Sequence, residues 1–120
     1  MAENACLICD SNLLPESGKG MRFAVEHEGE EAAAFVVRFN GQVHAYLNRC
    51  AHVPVELDWM EGEFFDDSGV YLICSTHGAI YAPENGVCLG GPCSGKSLIK
   101  LPVEEREGKI YLAKSKDNYV

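Results

Sequence analysis

The chain has 120 residues, 47% of them hydrophobic and 23% charged, with six cysteines and a formal net charge of −8. That length and balance suit one ordered domain with a single modest core. The acidity excludes a phosphate-neutralising surface for nucleic acid, and no apolar run reaches the roughly 20 residues that cross a bilayer. Neither nucleic acid nor membrane is expected as a partner. A basic protein surface is the partner this charge favours.

In chain order, Met1-Ala2-Glu3-Asn4 has neither the basic stretch nor the apolar core of a secretion signal, so a cytoplasmic location is expected. In that setting cysteines serve metal or redox chemistry more often than a disulfide framework. Cys6-Leu7-Ile8-Cys9 reads as alternation in an N-terminal strand rather than as half a metal site. Gly18-Lys19-Gly20 is a turn. Strands are expected over Met21–Glu26, Ala33–Phe39 and Gln42–Leu47, all rich in Val, Phe and Tyr. Asn40-Gly41 forms a hairpin between the last two, because both residues tolerate positive φ. His27 and His44 read as lone, solvent-facing residues on these strands. A short helix is expected within Pro54–Met60, and Asp58–Ser68 reads as an acidic surface excursion packed onto the domain by Trp59 and Phe64-Phe65.

Further short strands are expected over Val70–Cys74, Ala79–Ala82, Ser97–Val103 and Lys109–Ala113, with turns at Glu84-Asn85-Gly86 and Glu107-Gly108. Cys88 and Cys93 flank Gly90-Gly91-Pro92; a disulfide between them is conceivable, but the expected compartment favours buried thiols. The fold expected is all-β, one domain over 1–120. It is an antiparallel sandwich or partly open barrel with a Gly- and Cys-rich segment, 49–95, inserted into it.

Two short pairs within that segment carry the chemistry: Cys50-Ala51-His52 and Cys74-Ser75-Thr76-His77. Each follows a strand and is followed by Pro54 or Gly78, which puts it on a turn where backbone can bend toward a metal. Two thiolates and two imidazoles could hold one zinc ion. Zinc modules, however, usually pair Cys with Cys and His with His at wider gaps. A mixed pair on each loop suits a binuclear cluster better, with each loop giving one residue to each metal.

The pattern C-x-H…C-x-x-H-G resembles the Rieske family, in which two His replace two Cys on one iron of a [2Fe–2S] cluster. Gly90-Gly91-Pro92 resembles the family's proline loop, which covers the cluster. Tyr46-Leu47-Asn48-Arg49 is similar to its strand leading into the first pair. Tyr81 stands where many members place a tyrosine that donates a hydrogen bond to a cluster cysteine. The resemblance implies one [2Fe–2S] cluster, with Cys50 and Cys74 on the inner iron, His52 and His77 on the outer iron, and Tyr81, Gly91 and Pro92 around them. High-potential respiratory members carry an extra, disulfide-linked cysteine in each loop and a serine after His-Gly. Here Val53-Pro54, Thr76 and Ala79 stand at those places, as in soluble ferredoxins and oxygenase components. The gap between His52 and Cys74 is somewhat longer than in most oxygenase ferredoxins, with the extra residues expected in Asp58–Ser68.

Two thiolates cancel the charge of an oxidised diiron core, so the site is nearly neutral and accepts an electron more readily than an all-cysteine site. The range is about −150 to +300 mV against about −400 mV. Ala79 offers no side-chain hydrogen bond, which places the expected potential in the lower half of that range. The sequence shows no mononuclear iron set and no nucleotide or flavin fingerprint, so an electron carrier rather than an enzyme is expected. Its partners would be a reductase and a terminal oxygenase or reductase. The alternative is a small subunit or regulatory module of a larger, nitrite-reductase-like complex.

Overall fold

The computed structural model describes residues 5–51, 55–58, 60–74, 78–91 and 95–113. Among the described residues ten strands follow one another: β1 (Ala5–Asp10), β2 (Met21–His27), β3 (Glu30–Phe39), β4 (Gln42–Leu47), β5 (Leu72–Ile73), β6 (Ile80–Tyr81), β7 (Cys88–Gly90), β8 (Lys100–Leu101), β9 (Val103–Arg106) and β10 (Lys109–Ala113). They form three sheets, ordered β1-β10-β9, β2-β3-β4-β8 and β5-β6-β7, with every strand pair antiparallel. The only helical turn among the described residues is a 3₁₀ turn at Ser11–Leu13. The described part of Pro54–Met60 has no helix, since its amides and carbonyls are drawn into the loop contacts given below. No helix of the described residues is long and apolar enough to cross a membrane.

Three turns set the register of the long strands. Glu28-Gly29, Asn40-Gly41 and Glu107-Gly108 all have positive φ at both residues (53° and 81°, 55° and 77°, 53° and 76°). That is the backbone of a hairpin turn matched to strand twist. The Asn40-Gly41 turn pairs Phe39 with Gln42 and, further along, Val37 with His44 and Phe35 with Tyr46.

β3 is the central plank, and its apolar run Ala32–Val37 is explained by burial on both faces. Val36, with Ala45 of β4, meets Cys9 and Ile110 of the first sheet, while Ala34 and Leu47 close over Val25. Phe35, Val37 and Tyr46 point to the other side. There they pack with Leu57, Phe64, Leu72, Ala79 and Tyr81 of the third sheet and its loops. The small third sheet therefore sits on the opposite face of the central sheet from β1-β10-β9.

Two residues lie deeper than the sequence suggests. His44 is buried rather than solvent-facing, because β4 is covered on both faces. Burial and the Lys100 ammonium push its pKa below the usual 6.5, against the weaker pull of Glu84 and a hydrogen bond to the Phe39 backbone. The folded state thus prefers neutral His44, and protonation favours unfolding as pH drops below about 6.5. Relative to wild type, His44→Gln should lose less stability between pH 7.5 and pH 5.5 in urea unfolding. Equal losses would show that His44 carries none of that slope. Asp58 is also buried and is not part of an acidic surface. The Phe64-Phe65 pair does pack the excursion down. Phe64 stacks on Phe35 with centroids 3.9 Å apart, and Phe65 stacks on Phe39 at 6.1 Å.

Candidate metal centre

Two loops with the same closure face this second core. After β4, the Cys50 amide donates to the carbonyl of Val55 at 2.8 Å. After β5, the Cys74 amide donates to the carbonyl of Ala79 at 2.9 Å, and the Gly78 amide donates back to the Cys74 carbonyl at 2.9 Å. Each cysteine thus opens a loop shut by the carbonyl five residues on, and Gly78 takes the φ of +75° that the second loop requires. The second loop connects β5 to β6, so it is a hairpin tip.

Both cysteines are buried, Cys50 at 3% and Cys74 at 0% exposure, and neither is in a disulfide. They belong to one core cluster with Tyr81 and Ala79. The Tyr81 hydroxyl lies 3.2 Å from the Cys50 sulfur and accepts the Ala51 amide at 3.0 Å. With the Ala51 amide on that oxygen, the phenol proton is left to donate to the sulfur whenever Cys50 is a thiolate. Burial, the hydrogen bond to Cys50 and the charges of both thiols push the Tyr81 phenol well up, opposed by the Ala51 amide. It remains a donor throughout the physiological range.

A third segment flanks the second loop. β7 pairs with β6, placing Cys88 opposite Tyr81. The chain then folds back, with the Cys88 amide donating to Lys96 at 3.0 Å and Val87 bridging Ser97. Gly91 has φ +89°, and a Cβ there would stand 3.0 Å from the Ala79 Cα and 3.3 Å from the Gly78 carbonyl. Only glycine allows this segment to lie so close to the second loop.

Of the residues singled out in the sequence, the structure brings together Cys50, Cys74, Tyr81 and Gly91. His52, His77, Pro92 and Cys93 lie outside the described residues, as does Trp59. Cys88 is disulfide-bonded, with a partner beyond the described side chains. This corrects the expectation that Cys88 is a buried thiol. Compartment alone does not report local proximity. The other buried thiol, Cys9, belongs to the opposite core, where burial and Asp10 raise its pKa.

The family model for the Rieske [2Fe–2S] domain matches residues 4–111. The chain belongs to the Rieske family. Rieske domains hold a [2Fe–2S] cluster, and the residues present fit that group: two buried thiols share one core cluster with Tyr81, whose hydroxyl lies against the Cys50 sulfur, and each thiol opens a loop closed five residues on. The Rieske fold is borne out by solved structures. The ferredoxin of carbazole 1,9a-dioxygenase from Nocardioides aromaticivorans IC177 superposes with a TM-score of 0.70 at 20% identity, covering 93% of this chain and 99% of that one. The Sphingomonas yanoikuyae B1 ferredoxin gives 0.70 at 22%, covering 93% and 100%. A chain from the complex of reduced oxygenase and oxidised ferredoxin in carbazole 1,9a-dioxygenase gives 0.71 at 24%, covering 94% and 96%. The terminal oxygenase of the Nocardioides system matches 94% of this chain over 30% of its own. Comparison with curated proteins finds no match.

Proposed function

We propose that this Rieske protein is a one-electron carrier, taking electrons from a reductase and delivering them to a terminal oxygenase acting on aromatic or similar substrates. Cys50 and Cys74 would hold one iron and His52 and His77 the other, within a cluster-binding unit of residues 49–95 set into a single β domain. A cytoplasmic location follows from the same reading. The observation that carries it is the Tyr81 hydroxyl aimed at a buried cysteine sulfur between the two loops. Similarity to the ferredoxin of a carbazole dioxygenase system, over nearly its whole length, supports the choice of partner.

When bound, the cluster supplies one-electron redox chemistry at a nearly neutral site. The chain's own residues do the rest. The two five-residue closures fix the sulfur positions, Leu57, Leu72 and Ala79 keep water from the thiol side, and Tyr81 donates to Cys50. Formal charge −8 favours docking to a basic partner surface, with attraction that weakens as salt rises.

The test is the electron paramagnetic resonance spectrum of dithionite-reduced protein. A rhombic signal of low average g supports mixed His/Cys ligation, and a protein with one divalent ion and no sulfide overturns it. Tyr81→Phe should move the midpoint potential negative by roughly 40 mV. That corresponds to about 1 kcal/mol of hydrogen bonding lost from the electron-rich state. An unchanged potential in redox titration would remove Tyr81 from this role. With Ala79 offering no second donor, the wild-type potential should fall in the lower half of the Rieske range.

A further inference from the structure

A buried carboxylate stands beside the first loop and has no part in the site as described so far. The Asp58 side chain has no solvent exposure. Its Oδ1 accepts the Asn48 side-chain amide at 3.0 Å and its Oδ2 accepts the Gly62 backbone amide at 3.0 Å. The Arg22 guanidinium of β2 approaches Oδ2 at 3.7 Å and also pairs with Glu56. Asn48, itself buried, accepts the Leu57 amide on its Oδ1 at 2.8 Å. One asparagine at the end of β4, two positions before Cys50, therefore grips the chain at both Leu57 and Asp58.

We propose that Asn48 and Asp58 are positioning residues for the cluster, forming a buried polar clamp that shuts the loop bearing Cys50 and His52 and holds Cys50 against Tyr81. This rests on the ligand set proposed above. The clamp lies outside the closure from Cys50 to Val55, so the loop is pinned by two nested rungs. Leu57, the first of the two gripped positions, packs in the same core as Cys50 and Cys74. Apolar contact there is non-directional and cannot fix the loop's path. Hydrogen bonds can, and a fully satisfied buried polar network specifies one arrangement. Burying a carboxylate is unfavourable unless its bonds are complete, and here both oxygens have amide partners. The same charge, in a low-dielectric setting, opposes the arrival of an electron nearby.

The test uses the holoprotein of wild type, Asp58→Asn, Asn48→Ala and Asp66→Ala. Asp66 also makes several turn hydrogen bonds in the same excursion, but at its exposed end. Colour loss to a chelator and the midpoint potential are measured for each. Asp58→Asn should lose the cluster about 5-fold faster or more, the equivalent of one buried hydrogen bond, and its potential should move positive. Asn48→Ala, which keeps the carboxylate, should lose the cluster faster with no positive move. Asp66→Ala should match wild type in both. If Asp58→Asn yields no holoprotein, the retention rate of Asn48→Ala decides. Wild-type retention in both clamp variants, or equal loss in Asp66→Ala, overturns the clamp. Absence of the rhombic signal from wild type itself overturns the ligand reading and the clamp with it.

Discussion

Cys74→Ser should purify colourless, with iron and acid-labile sulfide falling from about two of each per chain to near zero. Cys74 is wholly buried, and its backbone is pinned on both sides by bonds to Ala79 and Gly78. A serine would therefore occupy the same place with little freedom to be replaced by another ligand. Its hydroxyl stays protonated near neutral pH, whereas a thiol, with its ordinary pKa near 8.5, is readily deprotonated by a bound metal. Softness matters as well, since thiolate sulfur is the ligand iron–sulfur clusters select. Cys9→Ser is the matched control. It alters another buried thiol, but in the core on the far side of the central sheet, and it should keep full colour. Iron and sulfide analysis with visible absorption checks both. Retained colour in Cys74→Ser, or its loss in Cys9→Ser, would show that the cluster is not held by the proposed ligands.

The parts legible in the sequence were those written in local pattern. Gln42–Leu47 and Lys109–Ala113 were read with their observed bounds, because alternation and a flanking Asn-Gly or Glu-Gly turn define them within a few residues. The contact between Tyr81 and Cys50 was legible because the resemblance places a tyrosine there as donor to a cysteine. Glu28-Gly29 carries the same signal as Glu107-Gly108 and could have been found, which would have carried β3 back to Glu30. His44 was recoverable too. The Asn40-Gly41 turn fixes Val37 opposite His44, and Val37 belongs to an apolar run too long for a strand with one wet face. The short strands β5 and β6 came out two residues long where four or five were expected. Beyond them the chain is held by loop bonds that periodicity does not encode. The clamp was not legible at all. One aspartate in an acidic stretch looks like its exposed neighbours, and only the fold shows that Asn48 reaches across ten positions to meet it. The Cys88 disulfide was not legible either, because cysteine counting and compartment do not report which thiols the fold brings together.

Phe64→Ala should be the most destabilising change outside the ligands, by about 3–5 kcal/mol. Against the 5–15 kcal/mol typical of a domain, that is a large share. The ring is fully buried and nearly parallel to Phe35, 12° between planes at 3.9 Å. Its edge fills the space beside Gly20, where a Cβ would come within 2.9 Å of it. The site is closed on one side by β3, whose register is locked to β4, and on the other by the third sheet, so it has little room to collapse after truncation. The full cavity cost should therefore appear. Phe65→Ala removes a half-buried ring from a looser stack at 6.1 Å and should cost only about 1 kcal/mol. Urea unfolding of the two variants measures the contrast. The consequence for the site runs through the backbone: the Phe64 carbonyl accepts the Ile73 amide at 2.9 Å, one residue before Cys74. Cooling a Phe64→Ala sample should restore colour retention if the effect is loss of fold rather than of ligand. Similar unfolding free energies for the two variants would instead show that the excursion is not anchored through Phe64.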